Sequence, residues 1–349
     1  KNGGGFLNEA VDLAGLFIRT GPVLQVGDRS GRVVQMRDDD PKVVWDGPMI
    51  VLVSRLSASA AEIVAGALKN HERAIIVGDK STFGKGSVQM VYHLANFDKS
   101  HKSAAKITIQ KWYQPNGESI QLKGIHSDIA LPSTLEHLDL GEDKRENALG
   151  WDEIDPASIR AGYGYGMGES GAKLLSTLSE KSEKRRESLD EFKFLNERIG
   201  WFKSRVEKKD WSLNLDAREK QLKDDEAFAD KMNERQKEFA KSNFKKEEIL
   251  LDSAIAKKKM QEESSAAQGN SSENGVEEKN PQGENTESAA GEKAESSSSG
   301  EKSANPPSEK HNSKGKSKKD DVPEFDVSMR EALRIMGDWL EFENSAKKN

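Results

Sequence analysis

The sequence has no cysteine among its 349 residues. Disulfide bonds, thiolate metal sites and a cysteine nucleophile are therefore excluded, while the cellular compartment stays open. The sequence also lacks any run of about eighteen apolar residues, the length that a membrane-spanning helix needs, so we expect no transmembrane segment. Aromatic residues make up only 6% of the chain and the net charge is -6, so we expect no binding of nucleic acid.

The apolar and charged fractions, 34% and 33%, are too nearly equal for one uniformly packed globule. Length alone favours two or three domains, so part of the chain should be solvated helix or lack fixed structure. The chain opens at Lys1 rather than at a methionine, within what reads as a turn between a strand and a helix. We therefore expect the C-terminal part of a longer protein.

Residues 3–132 carry the pattern of an α/β domain. Two continuous aliphatic runs, residues 49–53 and 74–77, have the length of strands that are buried on both faces. Between them lies an apolar helical face made of Ala60, Ile63, Val64, Ala67 and Leu68. The order strand, helix, strand predicts a crossover between two parallel strands.

A further helix and a further strand flank this unit. Residues 8–17 repeat apolar side chains at helical spacing. Residues 107–113 alternate in the manner of a strand, and Pro115, Asn116 and Gly117 predict a turn directly after it.

The composition changes at about residue 136. Residues 136–260 are rich in lysine, glutamate, arginine and leucine, and residues 180–206 and 217–241 read as charged amphipathic helices. This pattern favours a solvated helical extension over a specific charge-binding surface. The glycine- and tyrosine-rich residues 162–168 read as a flexible loop rather than a binding element.

The C-terminal part of the chain combines a polar linker and one apolar helix. In residues 261–321, Val276 is the only large aliphatic side chain, so this stretch cannot bury enough apolar surface to fold and should be disordered. The segment that follows it has an apolar helical face made of Met329, Ala332, Leu333, Ile335, Met336, Trp339 and Leu340. Such a face needs a partner, so this helix should dock on the folded part.

Small residues gather in the sequence LSASAAEI, residues 56–63, where the predicted strand gives way to the predicted helix. A hydroxyl on Ser59 would lie at a helix N-terminus, where free backbone N–H groups favour negative charge. Taken alone, the pattern favours an ordinary N-capping serine.

The second motif is GDKSTFGKGSVQ, residues 78–89. It is not a phosphate-binding loop, because Phe83 stands where a glycine is needed and Gly86 replaces the hydroxyl residue that would bind magnesium. Lys85 lies between two glycines, which allow backbone to approach and exclude water. A desolvated ammonium has a lowered pKa, and only a neutral amine can take a proton from serine. Lys80 has no such flanks and reads as an exposed loop lysine.

Together these motifs resemble the tail-specific, C-terminal-processing peptidases of family S41, in particular the long Gram-negative periplasmic form. The matching strings are, in chain order, NGGG, LFIRTGPVLQV, VLVSRLSASAAEI, STFGKGSVQ, ITIQKWYQPNGESIQLKGIHSDIALP and ENALGWDEID. They span residues 1–155. A weaker similarity to the helical C-terminal extension of that form follows in WSLNLDAREKQ and PEFDVSMREALRIMGDWL.

The resemblance implies a fold and a division of the chain. Residues 1–135 would be the C-terminal half of an α/β peptidase core of the ClpP/crotonase type, incomplete at its N-terminus. An α-helical extension (136–260), a disordered linker (261–321) and a terminal helix that docks on the extension (322–349) would follow. A PDZ module that grips substrate tails would precede the NGGG motif.

The resemblance also implies the roles of site residues. Ser59 would be the nucleophile and Lys85 its general base. Gln89 would orient the amine of Lys85 if the segment between them is extended, because the two side chains then share a face. The backbone N–H groups of Gly5 and Ala60 would form the oxyanion hole.

Two features depart from the family pattern. Ala61 replaces a second serine that is not the nucleophile, so little consequence is expected. The loop between Gly78 and Lys85 is one residue longer than usual, and the extra residue should be absorbed before the FGKG core.

By resemblance, the function is that of a serine endopeptidase that acts on proteins with accessible, apolar C-terminal tails. No metal or organic cofactor is implied. The expected location is the periplasm, with association to the inner membrane left open, and a lipoprotein adaptor is a further partner that the family allows.

Two alternatives stay open, namely a catalytically silent binding protein that keeps the fold and a purely structural helical adaptor. Other catalytic chemistries find no motif, because the six histidines form no HExxH pattern and no GxSxG elbow exists.

Overall fold

The computed structural model describes residues 2–93, 104–159, 168–242, 244 and 325–346. The seven strands in these ranges are β1 (Gly21–Asp28), β2 (Val33–Asp38), β3 (Ile50–Val53), β4 (Ile75–Gly78), β5 (Ser87–His93), β6 (Ala104–Tyr113) and β7 (Ile129–Ala130). The six α-helices there are α1 (Leu7–Gly15), α2 (Ala60–Asn70), α3 (Gly168–Ser188), α4 (Asp190–Val206), α5 (Leu215–Ala240) and α6 (Val327–Ala346). An α/β region followed by helices confirms the predicted fold class.

Strands β3, β4 and β7 form a parallel sheet in the order β3-β4-β7. Helix α2 connects β3 to β4, so the predicted crossover is confirmed. All four residues of β4 are buried, as expected for a central strand. The expectation that β3 is buried on both faces was wrong, because β3 is an edge strand of this sheet and its Leu52 is 36% exposed.

The other four strands form an antiparallel sheet in the order β2-β1-β6-β5. The alternation in residues 107–113 correctly predicted β6, and Gly117 ends the turn after it with a φ of +89°. Helices α1 and α2 pack with β1 around a buried apolar core that includes Ala14, Leu24 and Ile63. This core holds α2, and with it the residues at its N-terminus.

The helical part differs from the sequence prediction at one point. A continuous helix was expected over residues 180–206, but α3 ends at Ser188 and α4 begins at Asp190. Leu189 between them is extended, with φ -75° and ψ 135°. Neither glycine nor proline marks the break. Tertiary packing accounts for it, because the new direction buries Phe192 and Phe194 completely or almost so.

Helix α6 packs on α3 and α4 and against β3. Its Ile335 and Trp339 join Val77 of β4 and Leu178 of α3 in a second apolar core. Of the apolar face read from the sequence, Ile335 and Trp339 are buried in this core, whereas Met329, Leu333 and Leu340 stay exposed.

Charged side chains fix the position of α6 as well. Arg185 of α3 donates to both carboxylate oxygens of Glu331 at 2.9 and 3.1 Å and to Asp338 at 2.6 Å. The Glu331 side chain is completely buried. On its other side α6 reaches α4, where Arg330 donates to Glu191 at 3.1 Å.

Removing Arg185 should therefore destabilise the fold. We expect Arg185→Met to lower the free energy of unfolding by about 3 kcal/mol, because it deprives a buried carboxylate of its bidentate partner. Urea denaturation measures this loss. Lys193→Met is the matched control, since it breaks only an exposed pair with Asp190 and should change the free energy by less than about 1 kcal/mol. Equal effects of the two variants would contradict a structural role for Arg185.

Several predictions fall on other parts of the chain. Residues 160–167 and the linker 261–321 lie outside the described residues, and the proposed domain boundaries stay predictions. Among the residues that are described, no helix combines the length and apolarity needed to cross a membrane.

Candidate active site

Ser59 lies at the turn from β3 into α2, immediately before the first helical residue. Its backbone has φ +57° and ψ -121°, a conformation that residues other than glycine rarely adopt. Such strain amounts to about 1–3 kcal/mol and persists where the surroundings enforce it, most often at functional sites. The side chain of Ser59 is partly buried. An ordinary N-cap would need no such conformation, because N-cap residues are typically in the β region.

The N-terminus of α2 and the NGGG segment meet at this turn. The Ala58 N–H donates to the Asn2 carbonyl at 3.0 Å, and a β carbon at Gly4 would fall 2.8 Å from the Ser59 Cβ. In the described part of the chain, the N–H groups of Gly5 and Ala60 have no acceptor. The predicted oxyanion-hole donors thus belong to segments that touch at Ser59, and their convergence on one oxygen stays a prediction.

Lys85 lies in the loop of residues 81–86, here called the base loop. A β carbon at Gly84 would lie 3.0 Å from the Leu122 carbonyl carbon, and one at Gly86 would lie 3.1 Å from the Gln121 nitrogen. The predicted close approach of backbone at both glycines is therefore confirmed. Lys85 is partly buried, whereas Lys80 is exposed, as the sequence indicated.

One carboxylate connects the two motifs. Glu62 of α2 is completely buried and accepts four hydrogen bonds. Its Oε2 accepts the N–H groups of Ser59 at 2.7 Å and Lys85 at 3.0 Å, and its Oε1 accepts the Thr82 hydroxyl at 2.5 Å and the Gly84 N–H at 2.7 Å. Because Ser59 and Lys85 bind the same oxygen, their backbone nitrogens cannot be farther apart than the sum of those two bonds.

The environment of Glu62 acts on its charge in two opposite ways. Burial raises the pKa of the Glu62 carboxyl above its ordinary value, and the hydrogen bonds with Thr82, Gly84, Lys85 and Ser59, which favour the ionised form, offset this rise only in part. Only an ionised carboxylate has enough lone pairs to accept four hydrogen bonds on its two oxygens. The motif-bearing turns are therefore joined by a charge-assisted network in the protein interior.

Gln89 occupies a different setting. It is exposed on β5, and its Nε2 lies 3.4 Å from the Thr108 Oγ1. The pairing of β5 with β6 shifts register between Val88 and Gln89. The extra residue at this shift is Ile109 of β6, so the alternation along β5 continues there. Lys85 precedes β5, which begins at Ser87, and the role of Gln89 stays a prediction.

Glu62 and Thr82 are site residues that were not predicted from the sequence. A usable signal existed for Glu62, because a serine followed three residues later by glutamate is the pattern of a capping box. No local pattern could identify Thr82, which also accepts the Ile125 N–H at 2.7 Å and so anchors the base loop to a distant segment.

Comparison with known proteins gives two family matches. Residues 1–131 match peptidase family S41, and residues 135–341 match the C-terminal domain of tail specific protease (DUF3340). The chain is 39% identical over 249 residues to a tail-specific protease of Haemophilus influenzae, and the aligned region covers 70% of this chain and 35% of that protein. It is 38% identical over 170 residues to a carboxy-terminal-processing protease of Bartonella bacilliformis, covering 46% and 38%.

Among solved structures, the chain is similar to a photosystem II D1 C-terminal processing protease, with 32% identity and a TM-score of 0.32. That similarity covers 37% of this chain and 32% of the other. The chain spans 35% and 38% of the length of the two curated relatives named above.

Proposed function

Since this chain belongs to the tail-specific proteases of peptidase family S41, we propose that it carries the nucleophile and the general base of a serine endopeptidase. Ser59 is the nucleophile and Lys85 the base. The observation that supports this assignment best is the shared hydrogen-bond acceptor, because a single Glu62 oxygen receives the N–H groups of both residues.

The reaction begins with a proton transfer. The neutral amine of Lys85 takes the hydroxyl proton of Ser59, and the Ser59 Oγ attacks the carbonyl carbon of the scissile peptide bond. Lys85, now an ammonium, then gives the proton to the nitrogen of the leaving amine, and an ester between Ser59 and the substrate remains. Water hydrolyses the ester by the same sequence, with Lys85 again as base.

Negative charge on the tetrahedral intermediate needs donors that are in place beforehand. The N–H groups of Ala60 and Gly5 supply them, supported by the positive end of the α2 dipole. Each donor of this kind contributes about 3 kcal/mol to stabilisation of the transition state. The strained backbone of Ser59 fits this arrangement, because it places the side chain and the Ala60 N–H at the same turn. Gln89 completes the proposed site by orienting the Lys85 amine.

Substrates are proteins with accessible, apolar C-terminal tails. This can be tested in the complete natural protein with two unfolded reporter proteins that differ only in their last residues, apolar in one and charged in the other. We expect kcat/KM to be at least about tenfold higher for the apolar tail. Equal kcat/KM values would contradict recognition through the tail while leaving the catalytic assignment intact.

The resemblance also supports a periplasmic location and leaves room for a lipoprotein adaptor. Cell fractionation with a periplasmic marker tests the location. Recovery of the protein with a cytoplasmic marker would refute it.

A further inference from the structure

Arg55 lies four residues before Ser59, in the turn that follows β3, and its side chain is 16% exposed. Its guanidinium group binds two other segments of the chain. It donates to the Ser81 hydroxyl (2.9 Å), the Thr82 carbonyl (2.6 Å), the Leu140 carbonyl (2.9 Å) and the Asp143 carboxylate (2.6 Å). The first two acceptors belong to the base loop. The last two belong to residues 140–145, here called the clamp segment, within the region that matches the C-terminal domain.

The clamp segment reaches the base loop a second time. The Glu142 N–H donates to the Phe83 carbonyl at 3.0 Å, and the Glu142 side chain accepts from Gln121 at 3.4 Å. Gln121 is almost completely buried, and its side-chain Oε1 accepts the Gly86 N–H at 2.8 Å. Hydrogen bonds from the clamp segment therefore extend to both sides of Lys85.

Gly141 makes the contact between Arg55 and Asp143 possible. Its φ is +129°, and a β carbon at this position would overlap both the Arg55 Nη2 and the Asp143 Oδ1. Any side chain here must displace the ion pair. An alanine at position 141 therefore disturbs the clamp while both charged residues stay in the chain.

We propose that Arg55 and Asp143 are positioning residues, through which the clamp segment holds the base loop at its working distance from Ser59. Neither touches the reacting atoms. The pair acts on the backbone that carries Lys85, and Glu62 fixes the same loop from the side of α2. This inference rests on the proposed function, because it takes Lys85 to be the general base. Its consequence is that catalysis by the peptidase core depends on the first residues of the C-terminal domain.

The test compares Asp143→Asn, Gly141→Ala and Arg55→Lys in the complete natural protein. A displacement of about 1 Å between reacting groups lowers rates by up to roughly 100-fold, so we expect kcat to fall by about tenfold or more in each variant. KM should change by less than about twofold, since substrate binding is untouched. In a plot of kcat against pH, the midpoint of the acidic limb should also shift, because the displaced Lys85 amine lies in a different environment.

Glu146→Gln is the matched control. It removes one carboxylate three residues from Asp143, on an exposed side chain, and should leave kcat and the pH profile unchanged. Thermal unfolding establishes that each variant is folded at the assay temperature. Should Arg55→Lys fail to fold, Asp143→Asn decides, because its side chain is 34% exposed and its loss leaves the core packed.

Reaction with a fluorophosphonate, which phosphonylates an activated serine, distinguishes failure of this inference from failure of the proposed function. Slower labelling of Ser59 in the three variants than in the wild type supports the inference. Labelling at the wild-type rate, or an unchanged kcat, overturns the inference alone. A wild-type protein that is not labelled at Ser59 overturns the proposed function and the inference with it.

Discussion

Replacing either Ser59 or Lys85 by alanine should abolish cleavage, with kcat/KM lower by about four orders of magnitude or more. The first change removes the attacking oxygen and the second removes the group that takes its proton. Because two members of one catalytic unit act together, the double variant should be no worse than either single variant. The measurement is the rate of cleavage of an unfolded reporter protein with an apolar C-terminus.

Lys80→Ala is the control for this experiment. Lys80 is five residues from Lys85 in the same connection but is exposed, so its loss should leave activity within about twofold. A protein that loses activity with Lys80→Ala and keeps it with Lys85→Ala would show that the base was assigned to the wrong lysine. Activity that survives in Ser59→Ala would refute the nucleophile.

Glu62→Ala should have the second-largest effect, and it should act on stability and activity together. The change leaves the N–H groups of Ser59, Gly84 and Lys85 and the Thr82 hydroxyl without their acceptor in the protein interior. Each unsatisfied buried donor is unfavourable by about 1–3 kcal/mol, so the free energy of unfolding should fall by at least about 3 kcal/mol. In the folded fraction, kcat should fall by about 100-fold, because the two motif-bearing turns lose their common anchor.

Urea denaturation and kcat measured on the same preparations separate the two effects. Glu9→Ala is the control, since Glu9 is an exposed residue in the first turn of α1 and its loss should change stability by less than about 1 kcal/mol. If Glu62→Ala were as stable and as active as Glu9→Ala, the carboxylate would have no part in holding Ser59 and Lys85 together.

The parts of the fold that sequence predicted well are those with a local signal. The aliphatic runs and the apolar face between them predicted β3, α2 and β4 because periodicity reflects burial directly. The same reasoning overestimated the burial of β3, since the composition of a strand does not say whether it lies at an edge. It also joined α3 to α4, because neither glycine nor proline lies near Leu189 and the helix breaks there through the burial of Phe192 and Phe194.

In the candidate site, too, the residues that could be predicted are those with a local signal. Ser59 and Lys85 stand in motifs that can be read from neighbouring residues. The groups that hold them are distant in sequence, with Gln121 35 residues after Gly86 and Asp143 88 residues after Arg55. A single sequence carries no pattern that pairs such residues. Glu62 is intermediate, because its spacing from Ser59 was visible but its bonds to Gly84 and Lys85 needed the folded chain.

Mass spectrometry of the protein after reaction with a fluorophosphonate tests the central claim most directly, in wild type and in Lys85→Ala side by side. The account predicts one adduct on Ser59 in the wild type and none in the variant, because without the amine the hydroxyl is not activated. An adduct on another serine, or equal modification of Ser59 with and without Lys85, would contradict it.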